Sequence, residues 1–118
     1  MADIIIHDHS DEVMRAIEGA IPAALEAVGQ FVEGEAALEL ENDPRRVDTG
    51  RLRGSITHRM GTDGGEPYVA VGTNVEYAVY VHEGTRKMAP NRFLKNAVKK
   101  NEEQIRRYVE REIKRALG

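Results

Sequence analysis

The residues in this chain with the means to do chemistry fall in three places. "HDH" at residues 7–9, with Asp11 two positions on, brings His7, His9 and two carboxylates close together. In an extended segment, side chains at i and i+2 point the same way, so His7 and His9 form the start of a metal-binding pair. Spacing supplies no third fixed ligand, and the segment is terminal. A solvated tail is expected, with no metal site. The loop "GTDGGE", residues 61–66, has the glycines of a phosphate cradle. No Lys-Ser/Thr follows it, and Asp63 and Glu66 would repel phosphate, so it reads as a hairpin turn. Residues 86–115 hold 11 Lys+Arg against four acids, enough for a phosphate footprint. Glu102, Glu103, Glu110 and Glu112 interrupt that run, and Tyr108 is the side chain in it expected to stack on a base. An ion-paired protein-contact face is favoured over a nucleic-acid site.

Nucleophilic catalysis needs an activated Ser, Cys or Thr beside a base. Cysteine is absent, and the two serines are Ser10, which suits a helix cap, and Ser55, on a strand face shared with arginines. Neither sits in a nucleophile elbow. The expectation is no enzymatic activity and no cofactor.

The elements that would position these groups follow from size and pattern. A chain of 118 residues, 41% hydrophobic and 31% charged, reads as one domain spanning residues 1–118. Such a domain buries about two-thirds of its unfolded surface, which leaves little room for a deep pocket. No apolar run approaches the roughly 20 residues of a membrane span, and "MADIII" lacks the basic start of a secretory signal, so no membrane partner is expected. The net charge of −3 hides an asymmetry: residues 1–43 carry −10 and residues 44–118 carry +7. Opposite ends of this kind attract one another within a fold or between copies.

"DIII" at residues 3–6 reads as a short strand. From Ser10 to Asn42, apolar residues at Val13, Ile17, Ile21, Ala24, Val28, Phe31 or Val32, and Leu38 keep helical spacing, with Pro22 expected to kink or divide the helix. "GRLRGSITHRM", residues 50–60, alternates like a half-buried strand, and "YVAVGT" is its hairpin return. "NVEYAVYVHEG" fits a helical stripe through Tyr77, Ala78, Val81 and His82, or a strand through Tyr77, Val79 and Val81; one or two helical turns are favoured. Residues 91–117 read as a long helix capped by Asn91. The predicted fold is therefore α+β: a long N-terminal helix, a small antiparallel sheet with a hairpin, a short helical turn, and a long C-terminal helix packed on the sheet. Leu52, Ile56, Val69, Val71, Leu94 and Val98 are its expected core.

Four segments in order resemble a known family. "DTGRLRGSI" supplies Thr49, Gly50, Leu52 and Ser55; "VAVGT" supplies Val71, Gly72 and Thr73; "YAVYVHEGT" supplies Tyr77, Ala78, Tyr80, Val81, Gly84 and Thr85; "RFLKNAV" supplies Phe93, Leu94 and Ala97. Together, over about residues 48–98, they resemble the neck and tail-component proteins of tailed bacteriophages typified by gene product ten of a lambdoid siphophage. Two departures are His82-Glu83, where many members have Glu-Phe, and Arg92, where many have Pro. The resemblance implies a structural virion protein, made in the host cytoplasm, that acts in head-tail joining or tail completion as a ring around the DNA channel. Its implied partners are copies of itself and phage connector and tail proteins, with DNA passing without sequence-specific binding. Arg106, Arg107 and Arg111 are the expected inter-subunit charges, set against a neighbour's acidic helix. The alternative is a small nucleic-acid-binding module using the basic C-terminal helix.

Overall fold

A computed structural model describes residues 11–43 and 49–118. The 3–6 strand, the Ser10 cap and the His7–His9 pair lie outside the described residues. Helix α1, Asp11–Glu41, is 31 residues, about 46 Å at 1.5 Å per residue. Pro22 sits inside it without dividing it, exposed to solvent. The reason is packing: Ile17, Ala20, Ala24, Val28, Val32, Ala36 and Leu40 make one buried stripe that passes Pro22 on both sides. Burial of such a stripe outweighs one missing backbone hydrogen bond.

The expected strand at 50–60 is corrected in its first half. Thr49–Ser55 is a helix, α2, and the strand β1 begins at Thr57 and runs to Asp63. Leu52 and Ile56, four apart and both buried, are the helical signal; exposed Gly54 between them mimics alternation. β1 pairs antiparallel with β2, Glu66–Gly72, in the register Thr57↔Gly72 to Asp63↔Glu66. Gly64 and Gly65, at φ 57° and 86°, make the two-residue turn that matches strand twist. Across the strands, the Tyr68 ring lies over Gly61, where a Cβ would come within 2.5 Å of it.

The ambiguous segment is helical: α3 spans Ala78–Glu83. The C-terminal helix is two helices, α4 Phe93–Lys99 and α5 Glu102–Leu117. At the break, the Asn101 side chain donates to the Ala97 carbonyl at 2.8 Å. Arg92, not Asn91, precedes α4, because the Asn91 side chain is drawn to α1 instead. α5 lies along α1 rather than on the sheet. Lys100 meets Glu39 at 2.6 Å and Phe31 meets Tyr108 at 5.2 Å between ring centres, so the two helices run antiparallel. The sheet face is already taken by α1, where Gly29 admits His58 and Val69. Of the expected core, Leu52 and Ile56 are buried, and Val69, Val71 and Leu94 pack against its edge. Val98 is 44% exposed, because Phe93 and Ala97 hold the inward positions of α4.

Candidate assembly site

The four family segments meet at one joint. Leu52 of α2, Val75, Ala78 and Val81 at α3, and Phe93 and Ala97 of α4 share one buried cluster with Ala36 and Leu40 in the C-terminal half of α1. Their polar partners finish the joint. The Val75 amide donates to Thr73 Oγ1 at 3.1 Å, Thr73 Oγ1 lies 2.5 Å from Ser55 Oγ, and Ser55 Oγ lies 2.6 Å from the Leu52 carbonyl. A hydroxyl has one proton, so the direction is fixed: Ser55 donates to the carbonyl and Thr73 donates to Ser55. That chain satisfies a carbonyl left open at the end of α2.

The second Gly-Thr pair shapes the exit from α3. Gly84 has φ 80°, and a Cβ there would lie 2.9 Å from the Met88 carbonyl oxygen and the Pro90 nitrogen. Thr85 and Met88 then pair as a single bridge, with Thr85 Oγ1 accepting from the Lys87 amide at 3.3 Å. Asn91 ties this loop back. Its amide donates to the Val81 carbonyl at 2.8 Å, and its side chain reaches the Glu39 carbonyl and the Asp43 carboxylate at 3.3 and 3.0 Å. His82 accepts from the Lys95 amide on Nε2 at 3.4 Å, so Nδ1 carries the proton toward Glu83 at 2.7 Å. Its ring meets Phe93 edge-on at 5.3 Å.

Of the two family tyrosines, Tyr80 turns outward. Tyr80 is 58% exposed, as is its neighbour Val79, while Ala78 and Val81 face the core. Tyr77 is half-buried under the Arg51 guanidinium, 5.5 Å from its ring centre, and Arg51 also pairs with Glu76 at 3.3 Å. Gly50 is exposed on α2, and Gly72 has open space where a Cβ would be. The loop beyond Gly84 adds the exposed cations Arg86 and Lys87.

On α5, the three expected inter-subunit arginines have neighbours within the helix. Arg106 pairs with Glu103 at 2.6 Å and Glu110 at 3.8 Å; Arg107 approaches Glu103 at 4.0 Å. Arg111 lies 4.8 Å over the Tyr108 ring. Tyr108, the one candidate for base stacking, is thus held between Arg111 and Phe31.

A further arrangement is not legible in the sequence. His58 of β1 sits over Gly29 of α1, its Nδ1 2.5 Å from Glu33 and its Nε2 2.8 Å from Glu26. With a carboxylate on each ring nitrogen, both carry protons and the ring is an imidazolium. Glu33 and then Glu26 push the His58 pKa up; His58, and after it Gln30, hold the Glu26 carboxyl below its usual value. A Cβ on Gly29 would lie 2.7 Å from the imidazole and 2.8 Å from Val69. The one local trace is a helical glycine with an acid three residues before it and another four after.

A family model, that of bacteriophage HK97-gp10 tail components, matches residues 8–84. It takes in α1, for which the sequence offered no motif, and ends before the Phe93-Leu94 segment. Neither the curated proteins nor the solved structures gave a significant match.

Proposed function

Because this chain belongs to the bacteriophage HK97-gp10 tail-component family, we propose that it is a non-enzymatic structural protein of head-tail joining or tail completion. In this reading copies of the chain assemble as a ring around the DNA channel, between connector and tail proteins, and DNA passes without sequence-specific contact. One observation carries the proposal: the family segments converge on a packed, hydrogen-bonded joint that presents Val79 and Tyr80 outward. A joint of that kind holds a surface in place; it is not arranged to move protons or bind a small substrate. The charge division between residues 1–43 and the remainder gives neighbouring copies complementary surfaces.

The nucleic-acid alternative draws on the stripe Arg107, Arg111, Lys114 and Arg115 along α5. Against it stand the acids interleaved with that stripe and the occupied faces of Tyr108. The deciding experiment is a native mass measurement of the purified chain up to about 1 mM, with fluorescence anisotropy on duplex and single-stranded DNA in parallel. A closed multimer with weak, sequence-blind DNA binding supports the ring. A chain that stays monomeric throughout and binds DNA tightly overturns it.

A further inference from the structure

Resting on the ring reading, we infer that the contact between successive copies joins the outer face of α3 on one copy to the outer face of α1 around Leu38 on the next.

The first surface is apolar with a cationic margin. Val79 and Tyr80 are each 58% exposed and point away from the core side of α3, which carries Ala78 and Val81. Among the described residues, these two large apolar groups side by side on a six-residue helix have most of their surface uncovered. The loop that begins one hydrogen bond from Tyr80, through the Gly84 amide at 2.8 Å, carries Arg86 and Lys87, both exposed. The acid on this side, Glu83, is held by His82 at 2.7 Å and Arg92 at 3.7 Å.

The second surface is apolar with an anionic margin. Leu38 is 49% exposed, and its exposure follows from geometry: at 100° per residue it points about 200° away from both Ala36 and Leu40, which are fully buried. Glu35 and Glu41 stand three residues before and after it, on the same side of the helix. The nearby cation Lys100 is occupied by Glu39. The two surfaces therefore match in kind, leucine to tyrosine and valine, carboxylates to Arg86 and Lys87.

They also face in different directions. Ala78 and Val81 turn the inner face of α3 toward the core that Leu40 shares, so its outer face looks away from that core on one side, whereas Leu38 looks away from it on the far side of α1. A copy cannot satisfy its own pair, and a two-fold axis would have to make the contact twice between the same two copies, which faces turned apart on one rigid domain do not allow. Such a contact is heterologous, and it propagates head to tail until it closes.

The chain has no cysteine, so engineered thiols report on this contact without background. Leu38→Cys and Tyr80→Cys are placed in one chain, and separately in two chains that are mixed; both sites are exposed, so folding is not at stake. Under mild oxidation at about 1 mM, the double variant should give a ladder of covalent multimers. The mixed single variants should stop at a covalent dimer. A control pairing Tyr80→Cys with Leu117→Cys, an exposed site at the end of α5, should give no ladder. In a second arm, Glu35→Lys with Glu41→Lys should abolish assembly, and adding Arg86→Glu with Lys87→Glu should restore it. Multimers by native mass without the 38–80 ladder or charge rescue would overturn this contact while leaving the ring standing. Absence of both multimers and ladder would overturn the ring itself, and this contact with it.

Discussion

Replacing Gly29 by alanine sets two physical effects against each other at one atom. In a helix interior, alanine is favoured over glycine by about 0.5–1 kcal/mol, because the unfolded chain has less freedom to lose. Gly34, one turn and more along the same helix, has open space where a Cβ would stand, with no atom within 4 Å, so Gly34→Ala should collect that gain. At Gly29 the added methyl meets the imidazole at 2.7 Å and Val69 at 2.8 Å, well inside contact distance. The imidazole cannot step aside cheaply, since Glu33 and Glu26 hold it at both nitrogens. Overpacking of this sort costs about 1–3 kcal/mol. Gly29→Ala should thus be between neutral and about 2.5 kcal/mol less stable than the parent chain, and about 1–3 kcal/mol below Gly34→Ala. Urea denaturation read by linear extrapolation measures both, with an unchanged slope showing that the unfolded state is the same. If Gly29→Ala gains as much as Gly34→Ala, the hairpin does not lie on α1 as described.

Three other outcomes are expected. The His58 pKa is raised in the fold, so its stabilisation is fully present below about pH 6.5 and is lost as pH rises through the folded value. Thermal melts of the parent chain should fall over that window, and His58→Gln should flatten the fall. Phe93→Ala and Leu52→Ala should each cost about 2–5 kcal/mol by denaturation, whereas Val98→Ala, at an exposed site, should stay within about 0.5 kcal/mol. Multimer formation should weaken as salt rises from low to about 0.5 M. Reversing Arg86 and Lys87 to Glu, at exposed positions on the loop after α3, should weaken it further without unfolding the monomer, as checked by native mass and circular dichroism.

How much of the fold is legible in the sequence depends on the distance over which each feature is decided. α1, the hairpin and α5 are written in local periodicity, and Gly64-Gly65 names its own turn. α2 reads as a strand because Leu52, Gly54 and Ile56 satisfy both a period of two and, through the outer pair, a period of four. Which one wins is decided by burial against α1, a tertiary fact. Val98 and Asn91 depart from expectation for the same reason: each competes with a neighbour for one inward place or one partner, and the winner is set by α1. The His58 contacts span 25 and 32 residues, beyond the reach of any window. The family segments locate the joint well, but their spacing does not reveal that most of their side chains turn inward and that Tyr80 turns out.

The hydroxyl chain from Thr73 through Ser55 to the Leu52 carbonyl has a consequence for how this domain tolerates change over generations. Each oxygen takes its proton's direction from the next, so losing one alone strands the other in a half-buried site without its acceptor or donor. Ser55→Ala strands the Thr73 proton as well as the Leu52 carbonyl, while a matched change to an apolar group at position 73 removes the stranded proton and leaves the Leu52 carbonyl and the Val75 amide as the remaining cost. Eighteen residues apart in the chain, the two positions behave as one inherited character. Among descendants of this sequence they should be kept together or replaced together, and chains carrying one half of the pair should be rare.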